Sequence, residues 1–154
     1  MKVGIIGPES SGKSTLAYYL AKRYHGILVP EYAREYVENK GTRDVTFDEL
    51  CAIARHQIQE IKNLSSVSEA IFFDTELIVT KVWFDYAFGR VPEWLNDNIH
   101  RYPMDVYLLT YPDLPWIPDP ARYNGDDDIR LELFHRYEAE IQALDIPYYI
   151  IRHS

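Results

Sequence analysis

Apolar residues along this chain fall into short continuous runs, separated by longer stretches in which they recur every three or four positions. The runs are Lys2 to Ile6 (KVGII), Gly26 to Pro30 (GILVP), Ala70 to Phe73 (AIFF), Asp105 to Leu109 (DVYLL) and Pro147 to Ile151 (PYYII). Apolar runs of that length, punctuated by Gly, Pro or Asp, predict five buried strands. The stretches between them predict helices. Ser14 to Tyr24 places Leu16, Leu20 and Tyr24 at four-residue steps toward a core, and Glu31 to Asn39 stops near Gly41. Thr46 with Glu49 three positions on spells a capping box, after which Phe47, Leu50, Cys51, Ala54, Ile58 and Ile61 form one stripe. A fourth helix follows Asp74 through Ile78 and Val82 to Gly89, Pro92 opens a short fifth, and a last one carries Ile129, Leu133, Tyr137, Ile141 and Leu144. Strands alternating with helices imply parallel pairing through right-handed crossovers, hence a three-layer α/β domain.

Length and composition narrow what such a domain does. The 154 residues fit one domain, 1–154, and an apolar content of 47% is ample for a packed core. A formal charge of −8 argues against gripping a nucleic-acid backbone, which takes clustered Lys and Arg. Cys51 stands alone, so no internal disulfide is expected. No apolar run approaches the roughly 18 residues of a membrane span, and Gly4 with the loop after it interrupts any signal-peptide core. A cytoplasmic location without membrane or nucleic-acid partners is the expectation; nothing in the pattern sets an oligomeric state.

The chemistry is concentrated at the end of the first strand. Gly7 to Ser14, GPESSGKS, fits G-x-x-x-x-G-K-[ST] at every fixed position and lies between a predicted strand and a predicted helix, the context this phosphate loop requires. Gly7 and Gly12 let the backbone through Glu9, Ser10 and Ser11 curl into a nest of N–H donors, and the helix start adds its positive dipole end. Lys13 is placed for the β and γ phosphates of a nucleoside triphosphate, Ser14 for Mg²⁺, and Thr15 for the α phosphate.

In an open parallel sheet, ligands collect outside the carboxyl ends of the strands, where Glu31 and Asp74 both fall. Asp74 either joins Ser14 in the Mg²⁺ shell or caps the helix ahead of Glu76 and Leu77. Glu31 either accepts a proton from a substrate hydroxyl or supplies a favourable charge at a helix start. Arg34, one turn on, touches substrate or simply pairs with Glu31. Thr110 to Asp127 is long and rich in Pro, Asp and Gly, the signature of a lid over the site. Arg122 and Arg130 flank it and are candidates to stabilise charge on a transferred phosphoryl group. The acidic run before Arg130 reads as helix capping, and Trp116 either stacks on a substrate ring or plugs the lid. Trp83, Trp94 and most tyrosines read as core, and His56 as a helix-surface or core histidine.

Taken together, GPESSGKSTL, PEYAREYV, RHQ, FFDTELIVT, YPMDVYLL and PWIPDPAR occur in the order and spacing of one family. From Lys2 to Ile151 the chain resembles the nicotinamide riboside kinase domain of NadR-type proteins, a branch of the P-loop NTPases. The resemblance implies a five-stranded parallel sheet in the order 2-3-1-4-5 and transfer of the γ phosphate of ATP to the 5′-hydroxyl of nicotinamide riboside or a related riboside. It also implies functional roles for Lys13, Ser14, Glu31, Arg34, Asp74, Trp116, Asp119 and Arg122; Tyr32, next to Glu31, is a further candidate for contact with substrate. Two positions depart from the pattern: Pro30 replaces an aromatic residue before the "EY", and Glu76 replaces the second acid of "DTD". The adenylyltransferase and DNA-binding domains that accompany the kinase in some NadR-type proteins are not expected within these residues, nor the further helix after the fifth strand. A second function class fits the phosphate loop equally: a regulatory ATPase or GTPase module whose lid signals a partner. Glu31, Arg34 and a substrate-sized pocket beneath Trp116 separate the two, because a switch needs none of them.

Overall fold

The computed structural model describes residues 1–42, 44–113 and 127–152. In chain order the elements are β1 (Lys2–Ile6), α1 (Lys13–Arg23), β2 (Ile27–Val29), α2 (Tyr32–Lys40), α3 (Phe47–Asn63), β3 (Ile71–Asp74), α4 (Leu77–Phe88), α5 (Glu93–Arg101), β4 (Val106–Thr110), α6 (Asp127–Leu144) and β5 (Tyr148–Ile151). The five strands form one parallel sheet in the order β2-β3-β1-β4-β5, as expected. β1 pairs on both sides, Ile5 opposite Asp74 and Leu108, so the phosphate loop leaves the sheet between the ends of β3 and β4.

The two faces are covered unequally. α1 packs over Val3, Ile5 and Phe72. α3, α4 and α6 cover the other face, in a larger core that includes Ile6, Phe73, Ile78, Val82, Leu109 and Leu133. The first half of α4, from Leu77 to Thr80 with Val82 and Phe84, lies inside that core, which its apolar sequence allows, whereas Asp85 to Ala87 are exposed. Among the described residues no helix is long and apolar enough to cross a membrane.

α1 turns differently from its four-residue pattern. Ala17 and Ala21 are its buried residues besides Lys13, Leu16 and Leu20 pack at the edge, and Tyr24 is 60% exposed. Two alanines bring the helix close to the sheet, and the large side chains are displaced to its flanks. The capping box of α3 is present, with Thr46 Oγ1 accepting from Glu49 N and Glu49 Oε1 from Thr46 N, each at 3.1 Å. Behind the predicted stripe, Ile53 and Gln57 are buried too, against α4, where Thr80 Oγ1 donates to Gln57 Oε1 at 2.6 Å. β4 begins and ends one residue later than the sequence pattern suggests, which puts Thr110 inside the strand, beneath the phosphate loop.

Candidate active site

Gly7 to Gly12 turns the chain from β1 into α1, and two of its glycines are required by geometry. A Cβ on Gly7 would collide with Thr110 Oγ1 and lie 2.8 Å from the Thr110 carbonyl oxygen. Gly12, the N-cap of α1, is left-handed at φ 86°. Ser10 is left-handed as well, at φ 54°, a conformation that costs a non-glycine residue about 1 kcal/mol.

Two buried side chains brace the loop. Ser11 Oγ donates to the Pro8 carbonyl and lies 2.6 Å from Thr110 Oγ1, tying the loop to the end of β4. Arg130, at 1% exposure, reaches across from α6: Nε donates to Glu9 O at 3.1 Å, Nη2 to Ser10 O at 3.3 Å, and Nη1 to Asp127 Oδ1 at 3.1 Å. Two loop carbonyls therefore point outward into a guanidinium, which holds the strained Ser10 turn in place. Sequence reading grouped Arg130 with the lid; the structure docks it against the loop backbone.

Lys13 begins α1 and is buried, its ammonium donating to Pro8 O at 3.1 Å, so the cation lies over the loop it closes. Ser14 Oγ donates to Asp74 Oδ2 at 2.6 Å, joining the first turn of α1 to the end of β3. A hydroxyl and a carboxylate oxygen side by side are the hard oxygen donors that Mg²⁺ takes, so the residues present fit that ion. Asp74 does not cap α4. Glu76 does, its carboxylate accepting from Ile78 N at 3.0 Å. Glu76 is buried, which pushes its carboxyl up to about 7, against the opposing pull of the α4 amides and the Tyr107 hydroxyl that donates to it.

Glu31 is the N-cap residue of α2 but makes no side-chain cap bond. Its carboxylate is buried, and Arg34 Nε donates to it at 3.3 Å. Glu31 and Arg34, with Glu9 of the loop, border a cavity of about 170 Å³ between α2, α3 and α4. Val37, Leu50, Val79, Trp83 and Phe88 form its apolar walls. Trp83, read from sequence as core, is a wall of this cavity. Tyr32 turns elsewhere: its ring stacks on His56 of α3, centroids 3.6 Å apart and planes within 13°. His56 is half-exposed and 3.7 Å from Glu60, a helix-surface histidine. Trp94 is half-buried beneath the Arg55 guanidinium, 4.6 Å from its ring centre. Trp116, Asp119 and Arg122 lie outside the described residues.

A loop, a hydroxyl–carboxylate pair and an adjoining cavity thus meet at the carboxyl end of the sheet. A family model, AAA_28, described as an AAA domain, matches residues 2–154. The chain belongs to that family. This AAA_28 chain is 30% identical over 134 residues to the trifunctional NAD biosynthesis/regulator protein NadR of Escherichia coli (strain K12), a match covering 84% of it and 33% of NadR. It spans about a third of the length of the curated relatives it matches. A crystal structure of NadR protein in complex with NAD and AMP-PNP superposes with a TM-score of 0.77 at 22% identity, over 97% of this chain and 43% of that one. A structure of NadR protein in complex with NR gives 0.77 at 23% identity, over 97% and 42%. The resemblance to NadR-type proteins read from the motifs therefore holds, and the shared architecture is that of a P-loop NTPase.

Thr110, Phe88 and the cavity role of Trp83 escaped sequence reading. Thr110 had a signal, since it stands at the carboxyl end of β4 as Asp74 does at the end of β3. The cavity had none, because its walls come from three helices that the sequence pattern shows separately.

Proposed function

We propose that this chain is a Mg²⁺- and ATP-dependent kinase that phosphorylates the 5′-hydroxyl of nicotinamide riboside or a related riboside, a cytoplasmic step of NAD biosynthesis. The observation that carries this reading is the cavity bordered by Glu9, Glu31 and Arg34 and running back to Trp83. A nucleotide switch has no use for a second, acid-bordered compartment beside its phosphate loop.

In the proposed reaction the loop amides and Lys13 hold the β and γ phosphates, and Thr15 the α phosphate. Ser14 and Asp74 would hold Mg²⁺, which supplies positive charge to the phosphate oxygens. The acceptor riboside lies in the cavity with its hydroxyl toward Glu31. That hydroxyl oxygen bonds to the γ phosphorus as the bond to the bridging oxygen breaks, and its proton passes to the Glu31 carboxylate. Arg34 orients that carboxylate. Arg130 acts as a positioning residue by fixing the loop. Arg122 is assigned to charge on the transferred group, and Trp116 and Asp119 to the riboside, on the resemblance alone; Tyr32, stacked on His56, is given no part in it.

ADP release from ATP and Mg²⁺, with and without a panel of ribosides, tests the reading. Stimulation by one riboside with formation of its monophosphate is expected; hydrolysis indifferent to all of them would overturn it.

A further inference from the structure

We propose that the stack of Tyr32 on His56 is the positioning element of the acceptor site, fixing the start of α2 and with it the Glu31 carboxylate and the Arg34 guanidinium. The inference rests on the riboside-kinase reading and goes beyond it, to two residues that do not line the cavity.

α2 needs an external frame. It is nine residues long, too short to be stable on its own, and Val37 is its one buried residue. α3, in contrast, is buried along its length, from Cys51 to Ile61, and its Leu50 and Ile53 help to wall the cavity. Where α2 lies relative to the cavity is therefore decided by its ties to α3. At the far end, Tyr36 Oη donates to Glu49 at 2.9 Å and Lys40 Nζ to the same carboxylate at 2.6 Å. At the near end the tie is the stack, with ring centres 3.6 Å apart and planes within 13°.

The near tie is the one that bears on chemistry. Tyr32 is the first residue of α2, directly after Glu31 and half a turn before Arg34, and His56 stands one turn beyond Ile53 on α3. Two flat rings in face-to-face contact cannot approach further, and parting them loses the contact, so the stack sets the spacing of the helices at that point. His56 is itself steadied by Glu60, one turn on and 3.7 Å away. The Glu49 ties begin one turn further along α2 and secure the helix without setting its first residue. An acid that must meet one hydroxyl tolerates little displacement, since a shift of about 1 Å can cost about 10²-fold in rate.

The test compares the two ends of α2 in the intact chain, measuring transfer from ATP to nicotinamide riboside and urea unfolding for each variant. The His56 side chain is 45% exposed, so His56→Ala should fold. Its kcat should fall about 10-fold with the KM for ATP within about 2-fold, because the phosphate loop is untouched. His56→Phe keeps a flat ring and should recover kcat to within about 3-fold of the wild type. Tyr32→Ala should match His56→Ala, and the double variant should be no worse than either. Tyr36→Phe loosens the far tie and is the control: it should lose stability and keep its kcat. Variants of the stack that lose stability but keep the wild-type kcat overturn the inference. So does an equal fall of kcat in Tyr36→Phe, or a loss in His56→Ala that His56→Phe does not recover. In each of these cases transfer by the wild type leaves the kinase reading standing; a wild type that transfers to no riboside overturns both.

Discussion

Arg130 donates from Nε to the carbonyl oxygen of Glu9 at 3.1 Å, joining the last helix of the chain to the outside of the phosphate loop. With its second bond, to Ser10 O, the guanidinium satisfies two carbonyls that the turn directs away from the nucleotide side. Arg130→Met leaves them buried without a charged partner. Stability should fall by about 3 kcal/mol and the KM for ATP should rise about 10-fold, because the strained loop loses its brace. Arg130→Lys, with one ammonium in place of a planar fork, should recover only part of either loss. Urea unfolding and steady-state kinetics check this, and a variant equal to wild type in both would remove Arg130 as a support.

Ser14 and Asp74 make a sharper case. Asp74→Asn keeps the size of the side chain and an oxygen to accept from Ser14 at the observed 2.6 Å, so the fold should hold to within about 1 kcal/mol. The charge needed for a divalent cation is lost. Phosphoryl transfer should drop by about 10²-fold or more, with a higher Mg²⁺ requirement. Full activity in Asp74→Asn would mean that the pair is only a structural tie.

Gly7 and Thr110 are coupled through space. Gly7→Ala drives a methyl group into Thr110 Oγ1 and toward the Thr110 carbonyl at 2.8 Å. Overpacking of this kind should cost about 2 kcal/mol. Thr110→Ala removes the hydroxyl but not the carbonyl, so the double variant should recover part of the loss, a favourable coupling that a double-mutant cycle in denaturant measures. Strict additivity would show that the two residues do not press on each other.

These pairs show where the sequence was informative. Gly7, Gly12, Lys13 and Ser14 form one local motif, and Glu31 and Asp74 follow the second and third apolar runs directly, so strand ends alone put them at the carboxyl end of the sheet. The capping box at Thr46 and all six helices were legible for the same reason, each being a local or periodic pattern, whereas the sheet order came from the resemblance to NadR-type proteins. Arg130 was visible, but not its partners, because a bond spanning 121 residues leaves no periodic trace. Trp83 packs against the core as its spacing suggests, but its place on the cavity was hidden, because periodicity marks an apolar face without saying whether a neighbour fills the space it looks into. Tyr24 was assigned to the core by spacing but is exposed, and Leu16 packs at the core's edge, because α1 sits on its alanines.

Glu76 gives a pH-dependent signature that is independent of turnover. Burial raises its carboxyl from 4.5 to about 7, so in this window the folded chain binds a proton that the unfolded chain has released. Stability from this group is therefore undiminished below pH 4.5 and declines as pH rises toward 7, by about 3 kcal/mol in all. Glu49 runs the other way: Lys40 holds its carboxylate down at about 2, so what it contributes is lost only as pH falls below 4.5, outside the window. Glu76→Gln keeps an oxygen for Ile78 N and cannot ionise. Its stability relative to wild type should rise by about 3 kcal/mol between pH 4.5 and 8, measured by urea unfolding with EDTA present so that no cation binds at Asp74. A difference that stays constant across that range would show that Glu76 titrates near its ordinary value despite its burial.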